Sequence, residues 1–158
     1  MSIDVRRAHA ADADSLLPLI REHAAFERGG ATVTAAALQA ALAGDCPAVR
    51  AWLAEDTGTP VGYAAATMDF STWSGRAYLH LDCLFVAAAH RGTGLGARLL
   101  AATQAYANSA GIAELQWQTP SWNEDAARFY IREGATAATK LRFSLPVAGS
   151  HDTGVAQG

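Results

Sequence analysis

Residues 84–96 read Leu84-Phe85-Val86-Ala87-Ala88-Ala89-His90-Arg91-Gly92-Thr93-Gly94-Leu95-Gly96. An apolar strand gives way to a short connector and then to glycines at alternate positions. A helix follows and is predicted to run to Ser109 and stop at Gly111. Glycines at 92, 94 and 96 let the backbone turn tightly and leave N–H groups uncovered at a helix start. With the helix dipole behind them, those N–H groups suit a phosphate or pyrophosphate. A ligand-free turn between strand and helix is the plain alternative, so the flanking sequence has to decide.

Upstream, Ile3 to Arg7 alternates apolar and polar residues, as a half-buried strand does. Asp12 or Asp14 is placed to cap a helix whose apolar face carries Leu16, Leu17, Ile20, His23, Ala24 and Phe26, with Gly29-Gly30 ending it. Pro18 falls near its first turns, where a missing N–H costs least. Thr34 opens a second, alanine-rich helix to about Ala43. Val49–Glu55 and Val61–Phe70 flank the turn residues Asp56-Thr57-Gly58-Thr59-Pro60, which predicts a hairpin. Ala77–Val86 is apolar enough to lie inside a sheet. Beyond the glycine loop the pattern predicts a strand at Glu114–Thr119, a helix at Asn123–Glu133 and a last strand at Thr139–Leu145. The order β-α-α-β-β-β-α-β-α-β describes a mixed α/β (α+β) domain with one sheet and helices on both faces. Its predicted extent is residues 1–145, with a flexible tail over 146–158.

Composition narrows the function classes. The chain has 158 residues, 51% of them hydrophobic and 17% charged, with a formal net charge of -3. That length suits one domain, and that composition can bury a core. No basic surface is predicted, which argues against nucleic acid as a partner. No apolar run approaches a membrane span, and the N-terminus lacks the apolar stretch of a secretory signal. Cys46 and Cys83 sit in no metal-ligand spacing, so no metal is expected and a reducing cytoplasm is the natural compartment.

Two phosphate-binding patterns fail against the loop. A Walker loop needs Lys and then Ser or Thr after its last glycine, where Ala97-Arg98 stand. Gly92-Thr93-Gly94-Leu95-Gly96-Ala97 satisfies a dinucleotide fingerprint, with Glu114 near the spacing of a ribose-binding acid. That fingerprint belongs directly after the first strand, whereas here three or four strands precede the loop. A third pattern fits. Arg91, Gly94 and Gly96, set between a central strand and a helix, resemble the acyl-CoA binding motif of the GNAT superfamily of N-acetyltransferases. Phe70-Ser71-Thr72-Trp73-Ser74-Gly75-Arg76, Leu81-Asp82-Cys83-Leu84-Phe85-Val86, and Trp122-Asn123 with Phe129-Tyr130 resemble the diamine acetyltransferases, the spermidine/spermine and thialysine enzymes, within it.

The resemblance implies a mostly antiparallel central sheet and a set of site residues. Leu84, Phe85 and Val86 would offer the edge along which a pantetheine arm lies. Arg91, Gly92, Thr93, Gly94, Leu95, Gly96 and Ala97 would hold the pyrophosphate. Asn123, Glu124, Asp125 and Ala126 would line the acetyl-CoA site, with Tyr130 protonating the leaving thiolate. Phe26, Glu27, Asp82, Gln116, Trp117 and Gln118 fall on the acceptor side. A protonated amine has to lose a proton before it attacks; Asp82, His80 or an ordered water is the candidate base. Asp82 stands where the family usually has Glu, and Cys83 where Asp is common. Acetyl-CoA is the implied cosubstrate, a small cationic amine the implied acceptor, and a homodimer the implied assembly. Another acceptor class, such as an amino acid or a peptide N-terminus, and a non-catalytic acyl-CoA-binding module are the competing readings.

Overall fold

A computed structural model describes residues 2–148. They divide into two compact units, one ending at Gln118 and the other beginning at Thr119.

The first unit is built on a five-stranded sheet in the order β1-β2-β3-β4-β5. β1 (Ile3–Ala8), β2 (Arg50–Asp56), β3 (Thr59–Ser71) and β4 (Arg76–Val86) pair antiparallel in succession, and β5 (Leu115–Gln116) joins β4 in parallel. The β2–β3 hairpin turns on Thr57 and Gly58, both at positive φ (51° and 81°), the pattern of a two-residue type I′ loop. Thr57 occupies the position where glycine or asparagine is the usual choice.

α1 (Ala13–Phe26) and α2 (Ala35–Leu42) bury Ala13, Leu16, Leu19, Leu38 and Leu42 against Ala8, Ala51, Leu53, Tyr63 and Phe85. The period of two sends Trp52 and Ala54 to the opposite face, where Trp52 meets Tyr106 of α3 (Leu95–Ser109) edge-on. Leu95, Leu99, Leu100, Thr103 and Ala107 form the buried side of α3. Helices therefore cover both faces, as expected. Phe26 departs from the expected apolar face of α1 by lying exposed, and Leu19 is buried in its stead.

Helix termini follow the sequence only in part. Thr34 caps α2 by accepting from the Ala37 N–H at 3.1 Å. Asp12 stands at the N-cap of α1, but its carboxylate turns to Arg6 at 2.8 Å and to the His9 N–H at 2.8 Å. The left-handed residue closing α1 is Arg28 (φ 64°), not one of the two glycines, with Gly29 N–H donating to Ala24 O and Arg28 N–H to Ala25 O.

In the second unit, α4 (Glu124–Arg132) is capped by Asn123, whose side chain accepts from the Ala126 N–H at 3.2 Å. Glu124 and Asp125 in its first turn both pair with Arg128, and Gly134 follows at φ 98°. The strand expected at Thr139–Leu145 does not form: these residues have no regular structure, and Leu141, Phe143 and Leu145 are exposed. Alternation supplies an apolar face, but a strand exists only against a partner edge. The strand expected over Glu114–Thr119 shrinks to Leu115–Gln116. Residues 149–158 of the expected tail lie outside the described residues.

Candidate functional site

The site is organised by one irregularity in β4. Ala65 pairs with Cys83 and Ala66 with Leu81, leaving Asp82 opposite no residue: a β-bulge. In a regular strand, residues an even number apart direct their N–H groups to the same edge. Leu79 donates to Glu114 O on the β5 side, yet Ala87, of the same parity, donates to Val61 O on the β3 side. The extra residue has reversed the edge. Cys83 and Phe85 thus bond toward β3, and Leu84 and Val86 present their backbone groups to the other edge. There β5 pairs only with Leu79 and His80. Beyond His80, no described strand takes up that edge.

The bulge also reverses the faces. Cys83 and Phe85 join the cluster beneath α1 and α2, whereas Leu79 and Leu81 are buried without belonging to it. Phe85, expected near the cofactor, therefore offers only its backbone to the edge region; its ring stacks on His23 of α1 at 5.1 Å.

β3 approaches this stretch closely. A Cβ added to Gly62 would stand 2.9 Å from Phe85 O and 3.4 Å from Leu99 Cδ1. Glycine at 62 permits the contact, and the sequence reading missed it.

The glycine loop continues from the edge into α3. Gly92 (φ 74°) and Gly94 (φ 80°) both take the left-handed conformation, and a Cβ at either would meet nothing within 4 Å. The loop is thus open above these glycines, and the first-turn N–H groups of α3 from Leu95 to Ala97 have no intrahelical acceptor. Surrounding bonds brace it. Thr93 Oγ1 donates to His90 O at 2.6 Å, and His90 Nε2 meets Asp56 Oδ2 of the β2–β3 hairpin at 3.1 Å, which holds the Asp56 carboxyl below its usual pKa. Arg91 Nε donates to Val86 O at 2.9 Å, and its guanidinium lies 4.6 Å from the centre of the Phe26 ring. Arg91 and Phe26, expected on the cofactor and acceptor sides respectively, touch.

Residues of the first unit that were expected on the acceptor side lie about the α1 face of β4. His80 Nε2 and Asp82 Oδ1 are 3.9 Å apart, and Cys83 Sγ donates to Asp82 Oδ2 at 3.5 Å. Asp82 is exposed on the bulge. Cys83 is largely enclosed, and burial pushes its thiol up to about 12, so it is no nucleophile at neutral pH. Glu27, at the C-cap of α1, bonds to His23 Nε2. His23 Nδ1 meets Tyr63 Oη at 2.9 Å, and burial keeps the His23 imidazole below its usual pKa. Neither His23 nor Tyr63 was picked out as a site residue from the sequence; a histidine on an otherwise apolar helix face, one turn before Glu27, was the available signal. Gln116 pairs with His80 across the β4–β5 ladder, and its side chain donates to Glu114. Trp117 and Gln118 follow β5 at the end of this unit. Trp73 stands fully exposed at the tip of the β3–β4 hairpin.

In the second unit, Asn123 to Ala126 form the capped start of α4, and Tyr130 lies on that helix with its ring 5.1 Å from the Phe129 ring. Among the described residues, no group of three or more His, Cys, Asp or Glu side chains is placed to hold a metal. No described helix is long and apolar enough to cross a membrane.

An open strand edge leads into a glycine loop whose backbone N–H groups stand free at a helix N-terminus, and comparison with known proteins gives this arrangement a family. Residues 17–134 match the model of the acetyltransferase (GNAT) family. The thialysine N-epsilon-acetyltransferase of Bos taurus is 29% identical over 146 residues, covering 86% of this chain and 85% of its own. The enzyme of the same description from Caenorhabditis elegans is 30% identical over 118 residues, covering 75% and 73%. The aminoglycoside acetyltransferase AAC(6')-Iy, solved with a CoA bisubstrate analogue, superposes with a TM-score of 0.78 at 18% identity, covering 93% of this chain and 99% of that one. An edge, a cradle and a family match over most of its length make this chain a member of the acetyltransferase (GNAT) family.

Proposed function

We propose that this acetyltransferase moves the acetyl group of acetyl-CoA to a primary amine on a small cationic molecule of the diamine or thialysine type. The observation that carries the donor side is the bulge at Asp82, which turns Leu84 and Val86 to an open edge running into the Gly92–Ala97 cradle. Leu84 offers both its N–H and its C=O to an extended pantetheine, and Val86 its N–H, since Arg91 occupies the Val86 carbonyl. The pyrophosphate fits the cradle because nothing fills the space over Gly92 and Gly94. Acetyl-CoA supplies the activated acyl group; the protein supplies orientation and charge control.

An amine held against the donor attacks directly, and fixed orientation accounts for much of the rate. A backbone N–H of the Leu84–Val86 stretch polarises the thioester carbonyl. Asp82, exposed on the bulge with His80 beside it, removes the amine proton directly or through water. Tyr130 is assigned the proton donation to the departing thiolate by its resemblance to the family's acid. Glu27 and Asp82 give the acceptor side its negative charge, which draws a cation. Residues 1–145 act as one domain in this reading, in the cytoplasm and as a homodimer.

The test is product mass spectrometry with acetyl-CoA and a panel of diamines, thialysine, amino acids, peptides and aminoglycosides. Monoacetylated diamine or thialysine is the expected product. Transfer only to peptides or amino acids overturns the acceptor class. Tight acetyl-CoA binding with no transfer to any amine overturns catalysis itself. Tyr130→Phe is expected to lower kcat about a hundredfold while leaving acetyl-CoA affinity nearly unchanged; equal turnover removes Tyr130 from the mechanism.

A further inference from the structure

Glu27 sits where a carboxylate is least welcome, at the negative end of the α1 dipole. His23, one turn earlier on the same helix, touches it through Nε2, and Tyr63 Oη on β3 reaches the other ring nitrogen. The ring is wedged flat on Phe85 of β4, 20° from parallel. Only 13% of the His23 side chain is exposed, against 32% for Glu27. A dissolved cation can thus reach the carboxylate but not the imidazole.

The hydrogen-bond inventory fixes the proton. A carboxylate on Nε2 can only accept, so Nε2 carries the proton and Nδ1 is left to accept from the Tyr63 hydroxyl; this is the neutral tautomer that serves the Glu27 carboxylate. Burial raises the Tyr63 phenol well above its ordinary pKa, so it keeps its proton. We propose that His23, locked by Tyr63 and Phe85 as the Nε2–H tautomer, is the positioning residue that holds the Glu27 carboxylate toward the ammonium group of the acceptor. The inference deepens the acceptor reading above and rests on it for its kinetic consequence.

A pH effect follows. The groups facing His23 are Glu27 from α1, Tyr63 from β3, Cys83 and Asp82 from β4 and Arg91 from the glycine loop. Burial holds the imidazole neutral at pH 7. As pH falls through its lowered pKa the ring gains a proton and becomes an internal counter-ion to Glu27. The acceptor ammonium then competes with an imidazolium already in place, and acceptor affinity drops.

Two measurements on the full chain test this. Nitrogen-15 NMR of the protein without substrates should show the Nε2–H tautomer for His23 and a titration midpoint below that of an ordinary histidine. Glu27→Gln should move that midpoint further down, because a stabilising negative charge is gone. A tautomer mixture, or a midpoint indifferent to Glu27→Gln, overturns the proposal whether or not any acceptor is known. In kinetics, His23→Leu should raise the acceptor KM about tenfold, equivalent to roughly 1.4 kcal/mol, at constant acetyl-CoA KM. His23→Gln keeps an N–H for Glu27, so it should recover part of that loss and abolish the acid-side rise in acceptor KM. Equal change in both KM values, or a Gln variant no better than Leu, refutes the positioning role. If His23→Leu does not fold, the Gln variant's acceptor KM across pH decides the kinetic arm. A protein that acetylates no amine refutes the proposed function, and the NMR result still judges His23.

Discussion

Gly62→Ala is the sharpest probe of how the sheet builds its open edge. One methyl group is added 2.9 Å from Phe85 O, with Leu99 Cδ1 at 3.4 Å and Val86 Cα at 3.6 Å completing its surroundings. Leu99 Cδ1 and Val86 Cα stand at ordinary contact distance, but the Phe85 carbonyl belongs to the backbone and cannot give way cheaply. Ala87 N–H is bound to Val61 O at 2.8 Å on one side of the contact, and the Phe85 ring is stacked on His23 on the other. β4 must therefore shift by several tenths of an ångström away from β3. Overpacking of this kind costs about 1–3 kcal/mol. For a domain of this size that corresponds to a fall in Tm of roughly 2–4 °C per kcal/mol.

The shift acts on Leu84–Val86 directly, so acetyl-CoA affinity should fall together with stability. Thermal melting by circular dichroism and calorimetric titration with acetyl-CoA measure the two. Gly30→Ala is the control: its added Cβ meets nothing within 4 Å and its φ is not positive, so its Tm should stay close to wild type. A Gly62→Ala protein that melts with the control and binds acetyl-CoA normally would show that β3 and β4 have slack. The rigid-edge reasoning would then be wrong.

Asp82→Asn should lower kcat while leaving the acetyl-CoA KM nearly unchanged, and unchanged turnover moves the base assignment to His80. Cys46 is exposed and should react promptly with a thiol reagent at pH 7.5, while Cys83 should stay silent until the protein is unfolded; two fast thiols in the native protein would contradict the burial. Arg6→Leu should cost about 1 kcal/mol at pH 7, discounted for the exposure of Arg6, by releasing Asp12 and Glu55. Because the Arg6 guanidinium holds the Asp12 carboxyl below its usual 3.8, that stabilisation is present above 3.8 and is lost as pH falls through the lower folded value. Urea titrations of the two proteins should therefore converge below pH 4, and a constant gap would refute the assignment.

Local signals carried most of the architecture. Alternation in Ile3–Arg7, the Thr34 cap, the turn at Thr57-Gly58 and the glycine loop each depend on a few neighbouring residues, and each appears where it was expected. The misreadings share a different cause. Asp12 prefers a guanidinium delivered by the adjacent strand to its own helix terminus. Thr139–Leu145 has the alternation of a strand without a partner among the described strands. His23 reads as a core residue until Tyr63, forty positions away in sequence, supplies its second hydrogen bond. In each case the deciding partner comes from another element, which periodicity along one segment cannot reveal.

The bulge at Asp82 shows how far such a non-local feature reaches. Nothing in His80-Leu81-Asp82-Cys83-Leu84 announces an extra residue, since the count of opposing positions depends on β3. Yet that residue does three things at once. It turns the N–H groups of Leu84 and Val86 outward, moves Cys83 and Phe85 under α1, and lifts a carboxylate into solvent beside His80. The open edge, the face packed beneath α1 and the exposed carboxylate are thus not three independent inventions of the sequence. They follow from one register shift, and Gly62 and the His23–Phe85 stack both hold β4 just beyond it, at Phe85. A substitution that removed the bulge would reverse edge and face together. Lost acetyl-CoA binding and a disrupted α1 packing surface would then be two readings of one change.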